Sequence, residues 1–217
     1  MTPQSLAESV AALRVFPLPG TVLLPGASLP LHVFEPRYRQ LVADALAGDH
    51  LLCVPQILEE EEAGHLDAPA LYPYAAVGRI TTHHLLPDGR YNIVVEPVAR
   101  VRLVKELESA TPYRVFEAEL LLDAEGDTPK VDAVGRRLIG LLGPVLAGLG
   151  PRGAALSKGL QALPSGRVPA AVAPLVVQGA VPRQEYLAEN DQVRRAQLVE
   201  TMLLTRLAES RPATAEA

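Results

Sequence analysis

Residues able to do chemistry are few in this chain, and their spacing is unhelpful to most catalytic schemes. No two of the five histidines (His32, His50, His65, His83, His84) share the i, i+3 or i, i+4 spacing that places two ligands on one helix face. His83 and His84 are neighbours in an extended segment, so their side chains point to opposite faces. A zinc site would therefore need ligands gathered from distant parts of the chain. Cys53 is the single cysteine and sits in the apolar run LLCVPQI, where a small core residue is expected rather than a nucleophile in a positive, partly exposed setting. No G-x-x-x-x-G-K-[ST] phosphate loop occurs. The nearest string, GPRGAALSKG, has Ser157 before Lys158 and no following Ser or Thr.

The most pointed polar group is Glu35, Arg37 and Tyr38, which follows Phe34. As a binding site, Arg37 would meet a carboxylate or carbonyl of a peptide and Tyr38 would pack on apolar side chains. As a structural device, a buried Glu35–Arg37 pair would tie a helix start to a neighbouring strand or turn. Arg100 and Arg102 share a strand face with Val98 and Val104. That face reads as a solvated outer surface, because it lacks the interleaved aromatics of a single-strand nucleic-acid track.

These groups need elements to hold them. The chain has 217 residues, 48% apolar and 21% charged, enough for one large domain or two small ones. Aromatics are 4% with no Trp, so the core must be Leu, Val and Ala. With one cysteine no internal disulfide can form, which fits a reducing, cytoplasmic setting. The N-terminus lacks a basic and long apolar signal pattern, and no apolar run is long enough to cross a bilayer. Net charge is −5, distributed as −8 over residues 1–125 and +3 over 126–217. A module at −8 is a poor partner for a phosphate backbone.

A short helix is expected in residues 1–12, with Ser5 as a cap and Glu8 in capping-box spacing. Val15–Tyr38 is a Pro-Gly-punctuated stretch: extended pieces at Val15–Leu18, Thr21–Leu24 and Ser28–Phe34, separated by Pro19-Gly20 and Pro25-Gly26. Glu35-Pro36 then starts a helix of about residues 36–47, ended by Gly48. Strands follow at Leu51–Ile57, Tyr74–Thr82, Tyr91–Val95, Val98–Val104 and Tyr113–Leu122, with the Glu59–Glu62 run as a solvated loop and Pro87-Asp88-Gly89 as a turn. Several short strands and one helix suggest a small, partly closed barrel. The period changes at Gly126. Thr128 is expected to cap a helix whose inward stripe is Val131, Val134, Leu138, Leu141, Leu142, Val145 and Leu149. Further helices are expected at 154–163, at Val168–Gly179 (buried nearly all round), at Pro182–Glu189, and after Asn190 or Asp191. The organisation is a β module over residues 1–125, a helical part over 126–211 and a disordered tail over 212–217.

FPLPGTVLLPGASLPLHVFEPRYRQLVADAL resembles the opening of the N-terminal substrate-binding domain of Lon proteases. VGRI, LPDGRYNIVVE and ARVRL resemble its next block, and EYLAENDQVRRAQLVETML resembles its helical end. One departure is Glu96-Pro97, where that family usually has Glu-Gly. The resemblance implies an α+β fold, a PUA-like β-pseudobarrel followed by an α-helical bundle. It implies a module that binds unfolded or partly unfolded polypeptide, as an adaptor or regulator beside a separate protease. No ATPase or Ser-Lys protease activity, cofactor, metal or membrane contact is expected, and nucleic acid is the disfavoured alternative partner. Phe34, Glu35, Arg37 and Tyr38 are the candidate peptide-contact or corner residues.

Overall fold

The computed structural model describes residues 3–58, 69–124 and 127–209. The Glu59–Glu62 run, His65 and the segment 212–217 lie outside them. Two units form: Met1–Leu122 with Gly179–Ala188, and Asp123–Gln178 with Glu189–Ala217.

The first unit opens with α1 (Pro3–Val10), which already runs at Pro3, so Ser5 lies inside the helix and is not its cap. Six antiparallel strands follow: β1 (Leu13–Arg14), β2 (Leu29–Val33), β3 (Leu51–Val54), β4 (Tyr74–Leu85), β5 (Tyr91–Leu107) and β6 (Val115–Leu121). Their order is β1-β6-β5-β4-β3, with β2 paired to β5 off that path. β5 is the long axis. β4 lies along one side, while the other side is shared between β2, at Tyr91–Val95, and β6, at Arg100–Leu107.

The sheet closes on itself through the segment that continues β1. Val15 donates to the Arg114 carbonyl, and Phe16 then donates to Cys53 O at 2.8 Å. Leu18 donates to Pro55 O and Ile57 donates to Leu18 O, both at 3.1 Å. Thus β1 pairs β6 and its continuation runs parallel to β3, which makes a small barrel. The prolines fit this ladder. Donors are needed at Phe16 and Leu18, while Pro17 and Pro19 occupy the alternate positions where no N–H is required. Thr21–Leu24 is not a strand, although Leu23 and Leu24 are buried.

Alternation along the strands supplies two cores. Leu13, Val15, Leu51, Cys53, Val77, Val101 and Phe116 form one cluster. Leu52, Val54, Ala76, Ile80, Ile93 and Val95 form the other with Tyr38, Leu41, Val42 and Ala45 of α2 (Pro36–Ala47). β3 is therefore buried on both faces. Gly78 belongs here by necessity, since a Cβ would overlap the side chains of Val95 and Leu23.

The expected strands at Tyr91–Val95 and Val98–Val104 are one strand, β5, carrying two irregularities. Val77 pairs Ala99 but Gly78 pairs Pro97, which leaves Val98 as an extra residue, and a second shift lies between Leu103 and Lys105. Pro97 thus sits at a bulge, where its missing N–H is tolerated. The solvated face expected for Arg100 is overturned by the helix that packs on it, not by the bulge. That residue is buried, and its Nη1 donates to the Leu187 carbonyl at 2.5 Å, whereas Arg102 stays exposed and pairs with Glu119 at 2.8 Å.

Leu187 lies on α6 (Ala180–Ala188), a helix that the sequence reading placed with the helical part but that packs on the strands. Buried Gln184 explains the attachment. Its Nε2 donates to Tyr74 O at 3.0 Å and its Oε1 accepts from Tyr74 N at 3.1 Å, so one side-chain amide completes the end of β4 as a neighbouring strand would. Arg183 adds a bond to Gly20 O.

The second unit holds α3 (Thr128–Ala147), α4 (Gly150–Ala162), α5 (Val168–Val176) and α7 (Gln192–Glu209). Asp127 rather than Thr128 caps α3, accepting from Lys130 N at 3.1 Å, because the helix is already wound at Thr128. Asp191 caps α7, accepting from Val193 N at 2.8 Å. The core comes from Val131, Val134, Leu138 and Leu142 of α3, Val168, Val172 and Val176 of α5, and Ala196, Val199 and Leu203 of α7. Arg137 grips Glu200 through two bonds of 2.6 and 2.8 Å, joining α3 to α7. Val145 and Leu149, expected inside, are exposed.

Two stability tests follow from these bonds. Gln184→Leu keeps the side chain's bulk but strands both backbone groups of Tyr74, so it should cost about 2 kcal/mol and lower Tm by roughly 4–8 °C in a thermal melt followed by circular dichroism. The second concerns Asp49. Burial alone would raise its pKa, but the Leu51 N–H, Ser9 and Arg14 (2.8 Å away) outweigh it and hold the carboxylate below its usual range. A depressed pKa contributes stability above the unfolded-state value, lost as pH falls through the folded one. Urea midpoints for Asp49→Asn should fall less than those of the parent chain as pH drops from about 6 to about 3.

Candidate functional site

The turn from β2 into α2 is built within five residues. Phe34 ends the extended run, Glu35 takes the N-cap position with φ −65° and ψ 134°, and Pro36 occupies the first helical turn. The Glu35 side chain makes no capping bond; its Oε2 instead accepts from Arg37 Nε at 3.0 Å. This pair is local and partly exposed, so it is not the buried strand-to-helix tie that the sequence suggested. Arg37 also lies over the Tyr38 ring, 4.7 Å from its centroid, and Tyr38 packs on Phe16 with centroids 4.4 Å apart. Tyr38 is only 8% exposed, and burial first, then Glu35, pushes its hydroxyl up against the opposing effect of Arg37. Phe34 is the opposite case: its side chain is 61% exposed. Of the four candidates, then, Tyr38 belongs to the core, Glu35 and Arg37 brace it, and Phe34 alone offers free apolar surface.

Phe34 continues onto a three-stranded outer face. Register places His32 beside Asn92 and Asn92 beside His84, with Pro30, Val94 and Thr82 as the next row. These rows line an open, mainly apolar recess of about 420 Å³. His32 and Phe34 stack with ring centroids 6.3 Å apart. The His32 ring also fixes its own tautomer. Arg90 Nη1 approaches Nε2 at 3.1 Å and can only donate, so Nδ1 carries the proton and donates to Asn92 Oδ1 at 2.7 Å. Asp88 in turn holds Arg90 at 2.6 Å. Asn92 and Pro30 carry no signal of their own in the sequence, and His84 is weighed there only as a metal ligand. Alternation in SLPLHVF and YNIVV does put Pro30, His32 and Phe34 on one face and Asn92 and Val94 on another, but only the pairing of β2 with β5 joins them.

β2 pairs with β5 alone among the described residues. Pro30 cannot donate to β5, so in a regular antiparallel pair the backbone of Pro30 and His32 faces the open edge. That edge offers the His32 N–H and the carbonyls of Pro30 and His32, a short template for one added strand.

Other candidates separate. Among the described residues no group of three or more His, Cys, Asp or Glu is placed to hold a metal ion. Cys53 is fully buried and its thiol is pushed up by burial, away from thiolate chemistry. Ser157 and Lys158 are consecutive on α4, where Gln161 donates to Ser157 Oγ at 3.2 Å. No helix among the described residues is long and apolar enough to cross a membrane.

Comparison with known proteins agrees with the fold. The family model for the ATP-dependent protease La (LON) substrate-binding domain matches residues 12–205. "Lon protease 2" of Syntrophobacter fumaroxidans is 32% identical over 127 residues, 58% of this chain and 16% of that protein. "Lon protease 2" of Myxococcus xanthus is 32% identical over 129 residues, 58% of this chain and 15% of that protein. The chain thus matches about a sixth of these relatives' length. The N-terminal domain of a Mycobacterium avium complex Lon protease superposes with a TM-score of 0.67, 17% identity, and coverage of 89% of this chain and 98% of that one. A Lon N-terminal domain protein from Xanthomonas campestris gives 0.56, 25% identity, and coverage of 93% and 99%.

The corner makes a paired prediction. Tyr38→Ala removes a buried ring and should destabilise by about 3 kcal/mol, whereas Phe34→Ala should move a urea midpoint by no more than the equivalent of about 0.5 kcal/mol.

Proposed function

Because the chain belongs to the ATP-dependent protease La (LON) substrate-binding domain family, we propose that it binds extended, partly unfolded polypeptide without cutting it, along the β2 edge and the recess beside it. The observation that carries this reading is the juxtaposition of an open strand edge with an apolar recess and the exposed Phe34 ring. A peptide laid along β2 gains backbone hydrogen bonds, and its alternate side chains meet Phe34 and the His32, Asn92 and Val94 surface. Pro30 shortens that edge, so a single site should bind weakly. Tight capture would need several copies or a second contact.

This chemistry suits an adaptor or regulator in cytoplasmic protein quality control, delivering client segments to a separate protease. No step of peptide hydrolysis is assigned to it. The β unit's acidic balance supports polypeptide over RNA, since a phosphate backbone would meet net repulsion.

Calorimetric titration with reduced, carboxymethylated casein tests the reading. Binding should be micromolar or weaker and indifferent to ATP, and Phe34→Ala should weaken it about tenfold without loss of fold. Absence of heat and of co-elution, hydrolysis of the casein, or a salt-sensitive gel shift with structured RNA in place of casein binding would each sink the proposal.

A further inference from the structure

One polar group in the recess beside β2 has its hydrogen-bonding sense locked, and the lock begins in the β4–β5 turn. Asp88 accepts from Arg90 Nε at 2.7 Å and from the Arg90 backbone N–H at 3.1 Å, and it pairs with Nη2 at 2.6 Å. Arg90 Nη1 then lies 3.1 Å from His32 Nε2. A guanidinium can only donate, so Nε2 accepts and the ring proton sits on Nδ1. That proton needs an acceptor, and of the two ends of the Asn92 amide only Oδ1, 2.7 Å away, is one. The amide cannot turn over without setting two N–H groups against each other.

An ordinary exposed asparagine presents its oxygen or its NH2 group as a ligand demands, and so discriminates little. Asn92 has spent its oxygen on His32 and keeps only the Nδ2 donor. Among the described residues Nδ2 makes no hydrogen bond. Asn92 lines the recess with Thr82 and His84, whose hydroxyl and ring can each donate or accept, and with the apolar Pro30, Leu31, Ile93 and Val94. The one free polar group of fixed sense there is a donor. Charge points the other way: Asp88 offsets Arg90, and the −8 over residues 1–125 favours cationic clients. We infer that the recess selects a client residue whose side chain carries a carbonyl or carboxylate oxygen, Gln or Glu, over one that can only donate, such as Lys. Asn92 is the specificity-determining residue, and Asp88, Arg90 and His32 are positioning residues. This rests on the reading of the recess as a client site.

The test uses the full chain and short labelled peptides of Val and Thr that differ in one central residue: Gln, Glu or Lys. Fluorescence anisotropy should show Gln and Glu each binding about threefold to tenfold tighter than Lys, as one hydrogen bond allows. The Gln advantage should persist in high salt, where charge is screened. His32→Phe keeps a ring, changes no formal charge and frees the Asn92 amide to turn, so the Gln-to-Lys ratio should fall to about one. Asn92→Leu removes the donor and should do the same. Both side chains are exposed, so circular dichroism should not change. Equal binding of the Gln and Lys peptides would overturn the inference. So would tight binding of Glu alone, which would mean that charge is read, or a Gln preference that survives Asn92→Leu. A chain that binds casein but shows any of these results overturns this inference alone, whereas failure to bind casein removes the client site and this inference with it.

Discussion

Everything in the β unit depends on closing the ladder between the segment after β1 and β3. An open six-stranded sheet would leave two long edges of unpaired N–H and C=O groups, each a template for unwanted pairing. Here one short segment serves both edges. It pairs with β6 through Leu13 and Arg14, then changes partner at Val15 and runs beside β3 as far as Leu18. The change is possible because successive residues in an extended chain offer their backbone groups to opposite sides. Pro17 and Pro19 stand where a donor would point away from β3, so they stiffen the segment without removing a ladder bond. Among the described residues, closure leaves β2, which hangs on β5 outside the ring, with one unpaired edge.

Two buried polar side chains extend the same logic to the helix α6. Gln184 presents an amide to Tyr74 in place of a strand, and Arg100 carries its charge to the Leu187 carbonyl. Gln184 satisfies the end of a strand, and Arg100 satisfies a carbonyl in the last turn of α6. Neither arrangement tolerates loss of one partner cheaply, since a stranded buried group costs its full desolvation. This is the physical reason that α6 belongs to the strands although helices flank it in sequence.

These long-range pairings mark the limit of what the sequence discloses. The strand-to-helix corner was legible, because Glu35-Pro36 and Gly48 carry local start and stop signals for α2. The β4–β5 turn was legible from Pro87-Asp88-Gly89. β5 reads as two strands because the bulge at Val98 breaks strict alternation, and Arg100 reads as solvated because nothing in its own segment announces the helix α6 that covers it. Gln184 gave no local signal, since its partner Tyr74 is 110 residues away. The recess was invisible for a related reason. His32, Asn92 and His84 are brought into one row by register, and register is a property of pairing that no single segment contains. On α3, helical periodicity puts Val145 at the angle of the buried stripe but cannot tell whether a neighbour is present to cover it, and Leu149 falls beyond the helix end at Ala147.

The corner shows how an exposed apolar ring is set beside a packed one. At the corner, Phe34 is the last extended residue and Tyr38 sits in the first turn of the helix. The change of period between them turns one aromatic ring outward and the other into the core. The rigid half, with Glu35, Arg37 and Phe16 around Tyr38, holds the exposed half in place, so the order needed to present Phe34 is already present before a ligand arrives. On α4 the relation is reversed: Gly153 alone is buried and Leu156 is exposed.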